Sequence, residues 1–228
     1  TYQALGVGAI IAPWNFPLAI VTGMTTAGLV AGNAVLIKPA RTSPACAYAL
    51  YGILIKAGVP KEVVHFVPCV GAQVGPALVE HAGIDFITFT GSMEVGLDIK
   101  RAAVVQPGQR NVKRVITEMG GKNAIIVDDD ADLDEAVTGV VRSAFGFQGQ
   151  KCSACSRAIV VGSAYEPFVA RLLEAAKSFR IGDPVDPGNI LGPVIDAKSQ
   201  ARIKSIIEAA KKDCKLGLSR ETEIPAVG

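Results

Sequence analysis

Apolar runs of strand length alternate along this chain with longer stretches whose apolar positions recur at helical spacing. Val7 to Ala12 precedes Ala19 to Val30, and Ala34 to Ile37 precedes Ala45 to Lys56. Val63 to Val67 precedes Val74 to His81, and Phe86 to Phe89 precedes a helical stretch from Met93 to about Ala103. That rhythm predicts β-α units. Short apolar strands joined through helices imply a parallel sheet covered by helices on both faces. Gly58-Val59-Pro60 is a helix stop of the expected kind. After Glu118 the pattern restarts with a strand at Ala124 to Val127, a helix near Leu133 to Phe145 and a strand at Ala158 to Val161. Helices near Pro167 to Phe179 and Lys198 to Lys212 follow, and a domain boundary is expected close to Met119 to Gly121, giving units 1–119 and 120–228.

No Asp, Glu, Lys or Arg precedes Lys38, so the first segment has to be tested as a membrane span. Gly8, Pro13, Asn15, Pro17, Gly23, Gly28, Gly32 and Asn33 break it into pieces, none of which gives the roughly 20 clean apolar residues a span needs. It reads instead as a buried strand, a turn, a helix and a second buried strand, with no basic leader of the signal-peptide kind. With half of its 228 residues hydrophobic, the chain can build a substantial core in one or two domains. A net charge of +2 with no basic groove implies neither a nucleic-acid nor a membrane partner. Five cysteines at irregular spacing are no disulfide framework and fit a reducing compartment, cytoplasm or mitochondrial matrix.

The stretch Gly146-Phe147-Gln148-Gly149-Gln150-Lys151-Cys152-Ser153 sets a cysteine after a glycine-broken turn and beside a lysine. The thiolate is the nucleophilic form of cysteine and a neighbouring cation favours it, which makes Cys152 a candidate nucleophile. A small buried apolar residue is the ordinary alternative. Cys152 and Cys155 also spell Cys-x-x-Cys, which opens a thiol redox reading. A zinc site would need two further donors, and Cys46, Cys69, Cys214, His65 and His81 stand isolated, so no metal is expected. Asp128-Asp129-Asp130 with Asp132 and Asp134 lacks the glycine and terminal glutamate of a calcium loop and reads as an acidic helix start.

Ala12-Pro13-Trp14-Asn15-Phe16-Pro17, Thr117-Glu118-Met119-Gly120-Gly121-Lys122 and the segment around Cys152 together resemble the aldehyde dehydrogenase superfamily, in order and spacing and over nearly the whole chain. The resemblance implies an α/β fold: a Rossmann-like parallel-sheet cofactor domain followed by part of an α/β catalytic domain. It also implies three catalytic roles. Cys152 attacks an aldehyde carbon, Asn15 binds the oxyanion, and Glu118 handles protons and water. Gly146 to Ala154, Phe89 to Leu97 and Ala164-Tyr165-Glu166-Pro167 are similar to the 1-pyrroline-5-carboxylate dehydrogenases of that superfamily, which oxidise glutamate γ-semialdehyde to glutamate in proline catabolism. By that likeness Ser153 and Phe16 contact substrate. A turn hydroxyl bonded to local backbone is the alternative for Ser153.

Phe89-Thr90-Gly91-Ser92 stands where a strand gives way to a helix, a position that offers backbone N–H groups to a phosphate or simply a Ser N-cap. Gly-x-Gly-x-x-Gly is absent. The resemblance implies instead a Gly-Ser-x-x-x-Gly helix start at Gly91, Ser92 and Gly96, with Pro13, Trp14, Lys38, Gly71, Gly75 and Gly120 lining NAD or NADP. Where the family commonly has a glutamate after Lys-Pro-Ala, this chain has Arg41, which cannot accept a hydrogen bond from a ribose and would favour a 2′-phosphate. The choice between NAD and NADP therefore stays open, as does a solvent-facing Arg41. The family's Glu-x-Phe-Gly-Pro segment and subunit-joining strand do not occur here, so a piece of a larger enzyme is expected, with a small aldehyde as substrate and a homo-oligomer as the intact form. An aldehyde dehydrogenase with another substrate, or a nucleotide-binding or thiol-redox fragment without turnover, is the alternative.

Overall fold

The computed structural model describes residues 3–104 and 107–220; the outer ends of both expected domains lie outside the described residues. The chain divides into two compact units, Thr1–Gly120 and Gly121–Gly228.

In the first unit β1 (Val7–Ile11), α1 (Ala19–Val30), β2 (Ala34–Lys38), α2 (Pro44–Lys56), β3 (Val64–Phe66), α3 (Gly71–Glu80), β4 (Phe86–Thr90), α4 (Met93–Ala102) and β5 (Arg114–Glu118) follow one another. The strands form one sheet in the order β3-β2-β1-β4-β5, and every neighbouring pair is parallel. Strand order therefore reverses between β1 and β4, where Ile11 pairs with Phe89. Both faces are covered, which is why β1 reads as an unbroken apolar run. Ile10 packs with Val21 of α1, Leu50 of α2 and Val35, Ile37 and Phe86 of the sheet. Its neighbours Ala9 and Ile11 point the other way, into Leu78 and Val79 of α3 and Ile99 of α4.

The N-terminal edge of this sheet is latched by polar side chains. Asn33 Oδ1 accepts from the N–H groups of Leu5 and Gly6 at 2.7 and 3.0 Å, and Asp85 Oδ2 accepts from Val7 N–H at 2.9 Å. Lys113 Nζ, buried, donates to the Val79 carbonyl at 2.6 Å.

Within the first unit two elements depart from the hydropathy pattern. α3 starts at Gly71 rather than Val74, because Gln73 and Val74 N–H groups both reach the Val70 carbonyl; Pro76 is thereby enclosed in the helix, at an exposed stretch of it. β5 arises where the pattern defines no element. It is an edge strand whose residues alternate between exposed and half-buried, so it never shows the continuous apolar run of its neighbours.

The second unit contains β6 (Asn123–Val127), α5 (Leu133–Phe145), β7 (Cys155–Val160), α6 (Tyr165–Lys177) and α7 (Ala197–Ala210). β6 and β7 pair in parallel. Val127, Val137, Val140, Val141, Cys155 and Phe168 form its core. α6 begins at Tyr165, ahead of the expected Pro167, which places the proline in the first turn where its missing N–H is harmless. β7 begins at Cys155 rather than Ala158, because Cys155 already pairs with Asn123. The next pair is Ala124 with Arg157, so Ser156 is the extra residue of a β-bulge. Asp132 caps α5 by accepting from Asp134 and Glu135 N–H groups at 2.9 and 3.2 Å. Asp128, Asp129 and Asp130 precede that cap, exposed, with carboxylate oxygens within 4.8 Å of one another. Among the described residues no helix is long and apolar enough to cross a membrane.

Candidate active site

Parallel strands carry their neighbours' loops to one edge, and a ligand cleft opens outside their carboxyl ends where strand order reverses. That edge of the first unit holds most of the residues expected to line a dinucleotide. Pro13, Trp14 and Asn15 leave the end of β1, each half-buried. Gly91 and Ser92 leave the end of β4, the strand beside it. The Ser92 hydroxyl accepts from Val95 N–H at 3.3 Å, so it is the N-cap of α4. Lys38 ends β2 and is buried, with Nζ donating to the Pro39 carbonyl at 3.0 Å. A β-carbon on Gly71 would lie 3.8 Å from that Nζ, which sets the ammonium beside the first residue of α3. A buried ammonium with donors to spare, beside the N-terminus of α3, is a donor set suited to an anionic dinucleotide. Gly75 lies one turn into α3, Gly96 is buried in α4, and Gly120 is exposed after β5. Arg41 is exposed in the turn after β2.

Glu118 is the last residue of β5, exposed, paired in register with Thr90; its carbonyl accepts from Gly91 N–H at 3.0 Å. Phe16 lies half-buried at the start of α1, where its carbonyl accepts from Ile20 N–H at 3.2 Å.

In the second unit Cys152 and Ser153 are exposed on a turn between α5 and β7. That turn is closed by Ala154 N–H donating to the Lys151 carbonyl at 3.3 Å. The Lys151 amine reaches back towards Gly146, 3.7 Å from where a β-carbon there would sit. Cys155, in contrast, is buried, and all five cysteines are free thiols. Ahead of Cys152 the backbone turns left-handed at Phe147, Gln148 and Gly149, with φ of 56°, 56° and 66°. Two of the three carry side chains, a strained conformation of the kind that persists only where surrounding contacts enforce it. Those contacts are present. Gln150 Oε1 accepts from Ile195 N–H at 3.0 Å, and the Gln148 side-chain amide, turned so that its oxygen faces Gly192 N–H, would accept from it at 2.6 Å.

The aldehyde dehydrogenase family model matches residues 1–223. The chain belongs to that family. Curated relatives named 1-pyrroline-5-carboxylate dehydrogenase are similar throughout: the one from Geobacillus thermodenitrificans is 51% identical over 216 residues, 94% of this chain and 42% of its own. The Staphylococcus aureus relative is 50% identical over the same share. Among solved structures, 1-pyrroline-5-carboxylate dehydrogenase from Thermus with bound NAD superimposes at TM-score 0.91 and 47% identity, over 96% of this chain and 43% of that one. Proline utilization A from Bdellovibrio bacteriovorus gives TM-score 0.91 and 53% identity, over 93% and 22%. The chain thus spans less than half the length of the relatives it matches.

Within this aldehyde dehydrogenase chain, two side chains beside Cys152 escape sequence reasoning. Asn123 Nδ2 donates to the Cys152 carbonyl at 2.7 Å and to the Ala154 carbonyl at 3.1 Å. Gln150 is the other, through its bond to Ile195. The only available signals are an amide directly after Gly-Gly-Lys and a Gln-Gly-Gln repeat, neither of which specifies a partner.

Proposed function

We propose that the enzyme containing this chain oxidises glutamate γ-semialdehyde to glutamate with NAD or NADP. The observation that carries this reading is half-identity over 94% of the chain to relatives named 1-pyrroline-5-carboxylate dehydrogenase. An exposed Cys152 on a braced turn supports it chemically. The Cys152 thiolate adds to the aldehyde carbon, and the oxyanion formed takes hydrogen bonds from the Asn15 amide and the Cys152 backbone N–H. The bound dinucleotide supplies the hydride acceptor. What remains on Cys152 is a thioester, and Glu118 takes a proton from the water that hydrolyses it, releasing the carboxylic acid and the thiol. Lys38, Gly71, Ser92 and Gly96 hold the cofactor, together with Pro13, Trp14, Gly75, Gly91 and Gly120; Phe16 and Ser153 face the substrate. A reducing compartment, the cytoplasm of a bacterium by analogy with the relatives, and a homo-oligomeric intact enzyme belong to the same reading.

Its test is mass spectrometry after limiting iodoacetamide, with and without NAD or NADP, alongside turnover of glutamate γ-semialdehyde. Cys152 should be alkylated first and at a cofactor-sensitive rate, with the cofactor that changes the rate more identifying the role of Arg41. Asn15→Ala should lower turnover on the order of 100-fold to 1,000-fold. Uniform slow alkylation of all cysteines, or full turnover by Cys152→Ser, would refute the reading. A Cys152 to Cys155 disulfide in the untreated protein would favour thiol redox chemistry instead.

A further inference from the structure

One amide group holds both ends of the turn that carries Cys152. Asn123 Nδ2 bonds the carbonyl oxygens of Cys152 at 2.7 Å and Ala154 at 3.1 Å. Both partners can only accept, so it is the NH2 group that must face them. The position is closely built. A β-carbon on Gly121 would stand 3.1 Å from the Cys152 carbonyl oxygen and 3.0 Å from Asn123 Oδ1, so a side chain there would press on the bond. Asn123 is itself fixed, since its carbonyl accepts from the Ser156 hydroxyl at 3.3 Å and the β-bulge falls at its own pairing step. A bulge at this point re-aims the strand end that follows the turn. Fixing the Cys152 carbonyl fixes the peptide plane after Cys152. The strained left-handed turn, tied through Gln150 to Ile195, restrains the chain before it.

We propose that Asn123 is a positioning residue for the nucleophile. It acts through Cys152 rather than on substrate or cofactor; by clamping the Cys152 carbonyl it fixes the backbone on the far side of Cys152 and, with the braced turn before it, sets the direction of the Cys152 thiol. This rests on the dehydrogenase reading above. Orientation of the attacking thiol affects the transition state more than substrate binding, so loss of the clamp lowers kcat and spares KM.

The test is Asn123→Asp in the full-length enzyme, a change of the same shape that faces two carbonyl oxygens with acceptors instead of donors. Hydrogen exchange over residues 150–155 should accelerate at least about tenfold while α5 and α6 keep their protection. kcat should fall at least about tenfold with KM within about threefold. Asn123→Ala gives the same readouts should the aspartate variant fail to fold. A kcat within about twofold of wild type in an active enzyme overturns the proposal, whatever exchange does, and so does faster exchange spread over the whole second unit. A wild-type enzyme that oxidises no aldehyde, with exchange still accelerated at 150–155 in the variant, keeps Asn123 as the clamp of the turn and overturns the dehydrogenase reading instead.

Discussion

Gly96 and Met119 are in direct contact: a β-carbon on the glycine would lie 2.8 Å from the methionine sulfur and 3.2 Å from the ring of Phe89. α4 therefore rests on the residue that follows Glu118. With Gly91 N–H bonded to the Glu118 carbonyl at 3.0 Å, the start of α4 and the end of β5 form one packed piece. Gly96→Val must push Met119 aside. It should destabilise the first unit by about 1–3 kcal/mol in thermal denaturation, and it should weaken NAD binding, read by titration calorimetry. Unchanged affinity would separate this packing from the cofactor site.

Lys38 is buried at the end of β2, and among the described residues its ammonium bonds only the Pro39 carbonyl. Lys38→Met keeps the length of the side chain and removes the donors. Stability should change by no more than about 1 kcal/mol, while the Kd for NAD or NADP rises at least about tenfold. A large loss of stability with unaltered Kd would make Lys38 a structural residue.

The elements of the first sheet were legible because strands covered on both faces are continuous apolar runs, as Ala9, Ile10 and Ile11 illustrate. β5 was not, since Val115 and Ile116 are its only apolar residues and stand side by side, neither a long apolar run nor an apolar–polar alternation. The clamp on Cys152 was invisible for another reason: Asn123 reaches it across 29 residues, a separation at which local pattern has no bearing. Phe147 and Gln148 give no warning of positive φ, because residues of their kind do not prefer that conformation and the bond that ties down the turn, from Ile195 to Gln150, spans 45 residues. The candidate site was legible mainly through family likeness at Asn15, Glu118 and Cys152, whereas the burial of Lys38 had no local signature.

Lys113 makes the stability of the first unit depend on pH. Burial pushes its ammonium below the ordinary lysine value of 10.5, and the charges of Glu80 and Asp85 pull it part of the way back. Across the window between the folded value and 10.5 the unfolded chain binds more protons, so this group adds stability as pH rises through the window. Lys113→Met has no such proton. The stability of wild type minus that of the variant, measured by urea denaturation, should increase from neutral pH towards 10.5. A flat or falling difference would refute the depressed lysine.

Two glycines on either side of one helix end should respond oppositely to the same methyl group. Gly149 has φ of +66°, and a β-carbon there would meet the Ala144 carbonyl oxygen at 2.9 Å, so Gly149→Ala adds left-handed strain to a close contact with backbone. The cost should be about 1–3 kcal/mol. Because Phe147 and Gln148 are already left-handed, the turn has no neighbouring residue to absorb the change, and the displacement passes towards Cys152. Turnover should fall more than stability explains, with slower alkylation of Cys152 as the chemical readout. Gly139 lies in the interior of α5, exposed, with nothing within 4 Å of its would-be β-carbon. Gly139→Ala should stabilise the second unit by about 0.5–1 kcal/mol and leave alkylation unchanged. Equal effects of the two substitutions would mean that the left-handed turn is not maintained in solution, and with it would go the restraint on Cys152 from that side.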